Sequence, residues 1–134
     1  MPVDDARPLI AVFNDDPELI NMVATWLEAH GLRAVCGSLR DFRRGHEDVA
    51  DFLTKHRPKI VLFDVSMPYE PNWDFLLVLR ALPETSVVPI FVTTTNKVEL
   101  ERAVGATDAF QITGTAPNLT SLTTALVTAC RTVG

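Results

Sequence analysis

The stretch Ile60-Val61-Leu62-Phe63-Asp64-Val65-Ser66-Met67-Pro68 decides how the rest of the chain is read. Ile60 to Phe63 is an unbroken β-branched and aromatic run, the pattern of a strand buried on both faces. A strand covered on both sides belongs to a parallel sheet with helices above and below. Asp64 then stands at the carboxyl end of that strand, the rim where open α/β folds carry their chemistry. Pro68 lacks the N–H a continuing strand would need.

Working outward, strand-like runs alternate with amphipathic helical stretches. Leu9 to Phe13 reads as the first strand. Asn14-Asp15-Asp16-Pro17 is a turn, with Asp16 placed to cap a helix and Pro17 in its first turn. Leu19, Ile20, Val23 and Leu27 share one face of that helix, which Gly31 ends. Leu32 to Cys36 is a second strand. A second helix carries Val49, Phe52 and Leu53 and closes at Arg57-Pro58. After the Asp64 strand, Phe75, Leu76, Leu79 and Leu82 mark a third helix, stopped near Pro83. Val88 to Val92 is a fourth strand and Val98 to Val104 a short helix ending at Gly105. Ala109 to Ile112 is a fifth strand. Leu119, Leu122, Leu126 and Cys130 mark a last helix whose threonines make it intrinsically poor, so packing must hold it. This strict alternation predicts a (βα)5 parallel sheet with right-handed crossovers. Residues 1–8 read as a polar, flexible leader and 9–134 as one domain.

Bulk properties exclude several classes of function. The chain has 134 residues, 47% hydrophobic and 22% charged, a globular balance rather than a disordered one. A net charge of -5 lacks the footprint of a nucleic-acid binder. Arg40, Arg43 and Arg44 form a local basic cluster flanked by acids, read as a solvated loop or partner contact. No apolar stretch approaches the roughly 20 residues of a membrane span. Cys36 and Cys130 are far apart, in no metal-ligand spacing, and read as small buried hydrophobes in a reducing cytoplasm. His30, His46 and His56 fall at helix ends or loops and are expected at the surface.

In a sheet of this kind, the ends of the first and third strands meet at the topological switch point. Asp15 and Asp16 therefore approach Asp64. Clustered carboxylates repel, and a hard divalent cation with oxygen ligands, Mg2+ above all, relieves that repulsion. An aspartate so held can attack a phosphoryl group. Thr93-Thr94-Thr95 ends the fourth strand at the same edge, where a hydroxyl can bond a phosphoryl oxygen.

At this point the chain resembles the response-regulator receiver domain of two-component signalling, from Leu9 to Val133. Phe13-Asn14-Asp15-Asp16-Pro17 resembles the family's acidic pair, and Asp64-Val65-Ser66-Met67-Pro68 its Asp-x-x-Met-Pro phosphoacceptor motif. Pro89-Ile90-Phe91-Val92-Thr93-Thr94 resembles the strand bearing the switch Thr/Ser, and Gly105-Ala106-Thr107-Asp108-Ala109-Phe110 the Gly-Ala-Asp-x-Phe/Tyr segment. The resemblance implies a flavodoxin-like, doubly wound α/β fold with five parallel strands in the order 2-1-3-4-5. It implies a signalling domain rather than an enzyme. Asp64 is then the phosphoacceptor, Thr94 the switch hydroxyl and Phe110 the switch aromatic. Asp15, Asp64 and the Ser66 carbonyl are then the Mg2+ ligands. Asn72 falls where many members have Gly, since Asn tolerates left-handed backbone. The implied partners are a histidine kinase or phosphotransfer protein and a downstream protein, with no nucleic acid and no membrane. The face of the fourth helix, fifth strand and last helix is the family's docking and dimer surface. No output domain follows in this sequence, so the chain is expected to signal by docking, either as a stand-alone regulator or as a piece of a longer protein.

Two departures weaken the site. Asn14 replaces the first acid of the pair, which removes one negative charge from the metal pocket. Thr113, followed by Gly114, stands where the family carries a lysine, and the chain's lysines are Lys55, Lys59 and Lys97. That ammonium would support the phosphoryl group. The competing expectation is a degenerate receiver that acts by contact alone. An unrelated flavodoxin-like binding protein or enzyme fits less well. No Gly-rich phosphate loop follows the first strand, and no Ser/His/Asp order suits nucleophilic hydrolysis.

Overall fold

A computed structural model describes residues 7–94, 96–105, 111–114, 126 and 128. Five strands form one parallel sheet: β1 (Leu9–Asn14), β2 (Arg33–Ser38), β3 (Ile60–Asp64), β4 (Ile90–Thr94) and β5 (Gln111–Gly114), in the order β2-β1-β3-β4-β5. The expected order and doubly wound fold are therefore observed. Strands β3 and β4 are buried along their whole length, as their continuous apolar runs predict.

The helices are α1 (Pro17–Ala29), α2 (Leu39–Arg43), α3 (Val49–His56), α4 (Tyr69–Ala81) and α5 (Lys97–Val104), with a 3-10 turn at Pro83–Thr85. Side chains alternate across the sheet. Ile10, Val12, Ile60, Leu62 and Phe91 meet Val23 and Leu27 of α1 on one face, with Leu126. Ala11, Phe13, Val61, Phe63 and Val92 meet residues of α2, α3, α4 and α5 on the other. Asp16 caps α1 by accepting from the N–H groups of Glu18 and Leu19 at 3.0 and 3.4 Å. Arg57 ends α3 in the left-handed region (φ 48), with Pro58 beyond it. No helix among the described residues is long and apolar enough to cross a membrane.

Several expectations are corrected. The segment after β2 is not an open loop, because residues 39–43 form α2. Ser38 caps it through the Asp41 N–H, and Leu39 and Phe42 bury one face. Strands β2 and β4 run on to Ser38 and Thr94, since ladder hydrogen bonds continue into polar residues after the apolar run stops. Helix α4 begins at Tyr69, with Pro71 tolerated in its first turn. Asn72 thus lies inside a helix, and Arg57 is the described non-glycine residue with positive φ. Cys36 is exposed on the edge strand β2 rather than buried. Cys130 and most of the last predicted helix lie outside the described residues.

Candidate functional site

The carboxyl ends of β1, β3 and β4 bring Asn14, Asp64, Thr93 and Thr94 to one edge. A cleft of about 430 Å3 opens there, lined by Asn14, Asp15, Asp16, Pro17, Leu19, Asp64 and Ser66. The sequence reading placed Asp15, Asp64 and Ser66 together, and the structure does the same.

Asp64 is the deepest of these groups, 4% exposed. Burial pushes its carboxyl up to about 6 from the usual 3.8. The neighbouring charges of Asp15 and Asp16 push the same way, while a hydrogen bond from Thr93 opposes them. That bond runs from Thr93 Oγ1 to Asp64 Oδ1 at 2.9 Å.

The hydroxyl on Asp64 is thus that of Thr93. Pleat parity is the reason. Asp64 and Thr93 are register partners in β3 and β4, so their side chains leave the sheet on the same side. Thr94 is fully buried, and its Oγ1 accepts from the Asn96 N–H at 3.4 Å. Thr113 of β5 is in turn the register partner of Thr93, so position 113 does fall at the site's edge. Phe110 lies outside the described residues.

The acidic turn is organised by its own backbone. Asn14 Oδ1 accepts from the N–H groups of Asp15 and Asp16 at 2.6 and 3.1 Å. Asp15 Oδ1 accepts from the Arg40 N–H of α2 at 2.6 Å. Asp15 Oδ2 pairs with Arg43 Nη2 at 3.2 Å. Arg43 Nη1 donates to Asn72 Oδ1, and Asn72 Nδ2 donates to the Ser66 carbonyl at 2.7 Å and to that of Pro68 at 3.1 Å. The basic cluster read as a solvated loop or partner contact therefore sends Arg43 to Asp15, at the edge of the pocket. Its charge and acidic flanks were visible in the sequence, but its reach depends on α2. Asn72, expected as a backbone substitute for Gly, acts instead through its amide.

A divalent cation would have to compete with the protein's own donors for the oxygens of this pocket. Hard cations need several free oxygens. Here Asn14 Oδ1, both Asp15 oxygens and the Ser66 carbonyl already accept from the protein. No three His, Cys, Asp or Glu side chains converge as a metal site among the described residues.

No protein-family model matches the chain, and a search of curated proteins finds no match. Solved structures do resemble it. A sensor protein from Polaromonas sp. JS666 is 21% identical over 96% of this chain and 99% of that one, with a TM-score of 0.73. The chemotaxis response regulator CheY4 of Vibrio cholerae is 22% identical over 92% and 99%, with a TM-score of 0.66. A CheY-like receiver domain from Methylobacillus flagellatus is 18% identical over 92% and 99%, with a TM-score of 0.69. The chain has the fold of response-regulator receiver domains.

Proposed function

We propose that this chain is a two-component receiver domain in which Asp64 accepts a phosphoryl group from the phosphohistidine of a histidine kinase or phosphotransfer protein. The observation that carries this reading is Asp64 itself: a buried carboxylate at the rim of β3, lining a cleft, with one oxygen held by Thr93. Fixing Oδ1 leaves Oδ2 as the attacking oxygen. That oxygen bonds to phosphorus as the P–N bond breaks, and the departing imidazole nitrogen takes a proton from water. Near pH 7 a carboxyl titrating at about 6 is mostly ionised, and burial keeps it thinly solvated, so it is a competent nucleophile. Thr94 keeps the switch-hydroxyl role and Phe110 the aromatic role that the resemblance implies. Output is by docking to a downstream protein, and the face of α5, β5 and the last helix is the expected docking and dimer surface. The reading implies a cytoplasmic protein that transfers no group catalytically.

Two observations favour the second reading, a receiver that works by contact alone. The acidic turn is tied to Arg43, and position 113 carries no lysine. Incubation with acetyl phosphate, with and without Mg2+, separates the two. Expected is a phosphoryl mass on the intact protein that Asp64→Asn lacks. A folded protein that gains no mass in either condition, and shows no spectroscopic response to beryllofluoride, supports the contact reading instead.

A further inference from the structure

We propose that Arg43 is a built-in counter-ion that occupies the acidic pocket in place of a divalent cation, so that the resting pocket excludes metal. This inference stands whether or not Asp64 is phosphorylated.

The argument begins with donors and acceptors. Arg43 joins the two oxygen sources a metal would need. Its Nη2 holds Asp15 Oδ2 at 3.2 Å, and its Nη1 bonds Asn72 Oδ1. Asn72 then occupies the Ser66 carbonyl at 2.7 Å. The Arg40 N–H takes the other Asp15 oxygen. One continuous chain of bonds therefore runs from Asp15 through Arg43 and Asn72 to Ser66. A planar guanidinium suits this bridging, because its fork reaches two acceptors at once.

The bridge runs from the protein surface at Arg43 to a buried amide at Asn72. The side chains of Arg43 and Asp15 are only 27% and 22% exposed, and Asn72 is 1% exposed. Arg43 follows Phe42, which packs edge-on against Phe13 and Phe52 at centroid distances of 5.1 and 5.5 Å. Core packing thus delivers the guanidinium. A cation drawing on both Asp15 Oδ2 and the Ser66 carbonyl competes there with Arg43 and Asn72. Displacing them strands a buried amide and a partly buried charge. The same pocket lacks the first acid, since Asn14 spends its oxygen on backbone N–H groups. A fixed positive charge therefore offsets Asp15 where the ion's charge would have done so.

The test is direct metal binding, read by electron paramagnetic resonance of free Mn2+ with the full chain. Wild type is expected to show no saturable binding at millimolar Mn2+. Arg43→Gln is expected to open the pocket and tighten binding by about tenfold or more. Adding Asp15→Asn to Arg43→Gln is expected to remove that gain. Thermal melting by circular dichroism shows which variants fold. If Arg43→Gln does not fold, Arg43→Met is read in its place, because methionine keeps much of the aliphatic stem but carries no charge and cannot bridge Asp15 and Asn72. Submillimolar binding by wild type, or a folded Arg43 variant that binds no better than wild type, overturns the proposal.

Discussion

Asp64 is held in an environment that favours its neutral form. Its carboxyl titrates near 6 when folded and near 3.8 when exposed, so between those values the folded protein keeps a proton that the unfolded chain has released. The sign follows: stability falls as pH rises from about 4 to about 6 and is level above. A shift of about 2 pKa units amounts to roughly 3 kcal/mol. Asp64→Asn is therefore expected to be about 2–3 kcal/mol more stable than wild type at pH 7.5, with the gain fading toward pH 4. Urea unfolding across that range measures it, and a pH-independent difference would contradict the burial argument. Thr93 acts in the opposite direction by donating to the ionised carboxylate. Thr93→Ala should raise the Asp64 titration midpoint above 6 and Thr94→Ala should leave it in place, as followed by carbon-13 NMR of the carboxyl. The importance of Asp64 was legible in the sequence, because a lone carboxylate ends an apolar run. Which threonine touches it was not, because that depends on register across two strands.

Helix α2 is the element on which the pocket turns. Its formation requires Gly37, the β2 residue beneath it. A Cβ there would stand 2.7 Å from Phe42 Cε2 and 2.9 Å from the Phe13 ring, closer than real contacts allow. Glycine lets the Phe42 ring settle against Phe13, and α2 follows. Gly37→Ala is expected to cost about 1–3 kcal/mol through overpacking and to loosen Arg43 from Asp15. Denaturant unfolding gives the first quantity. The second appears as a gain in Mn2+ binding in the same direction as Arg43→Gln. Helices α1, α3 and α5 could be read from apolar spacing, caps and breakers. Helix α2 could not, since its five residues offer a single buried pair, Leu39 and Phe42, and no period to detect.

The described residues pack as two hydrophobic layers on one sheet, and each layer depends on residues distant in sequence. Leu126 is fully buried with Val23 and Leu27 on the α1 face. Leu126→Ala is expected to destabilise the protein by about 2–5 kcal/mol in urea unfolding, and a neutral result would mean that this residue does not close that face. The (βα)5 alternation and the edge carrying Asn14, Asp15 and Asp64 were determined by the sequence alone, while the order of the strands was implied by the family resemblance and is seen in the sheet. Alternating periodicities are local signals, and a parallel (βα)5 pattern has few ways to close. The partnership of Thr93 with Asp64, and the bridge of Arg43 and Asn72 across the acidic pocket, were decided only by tertiary structure. Both join side chains far apart along the chain. Their meeting depends on pleat parity and on how an aromatic cluster seats a short helix, neither of which is written in any one stretch of residues.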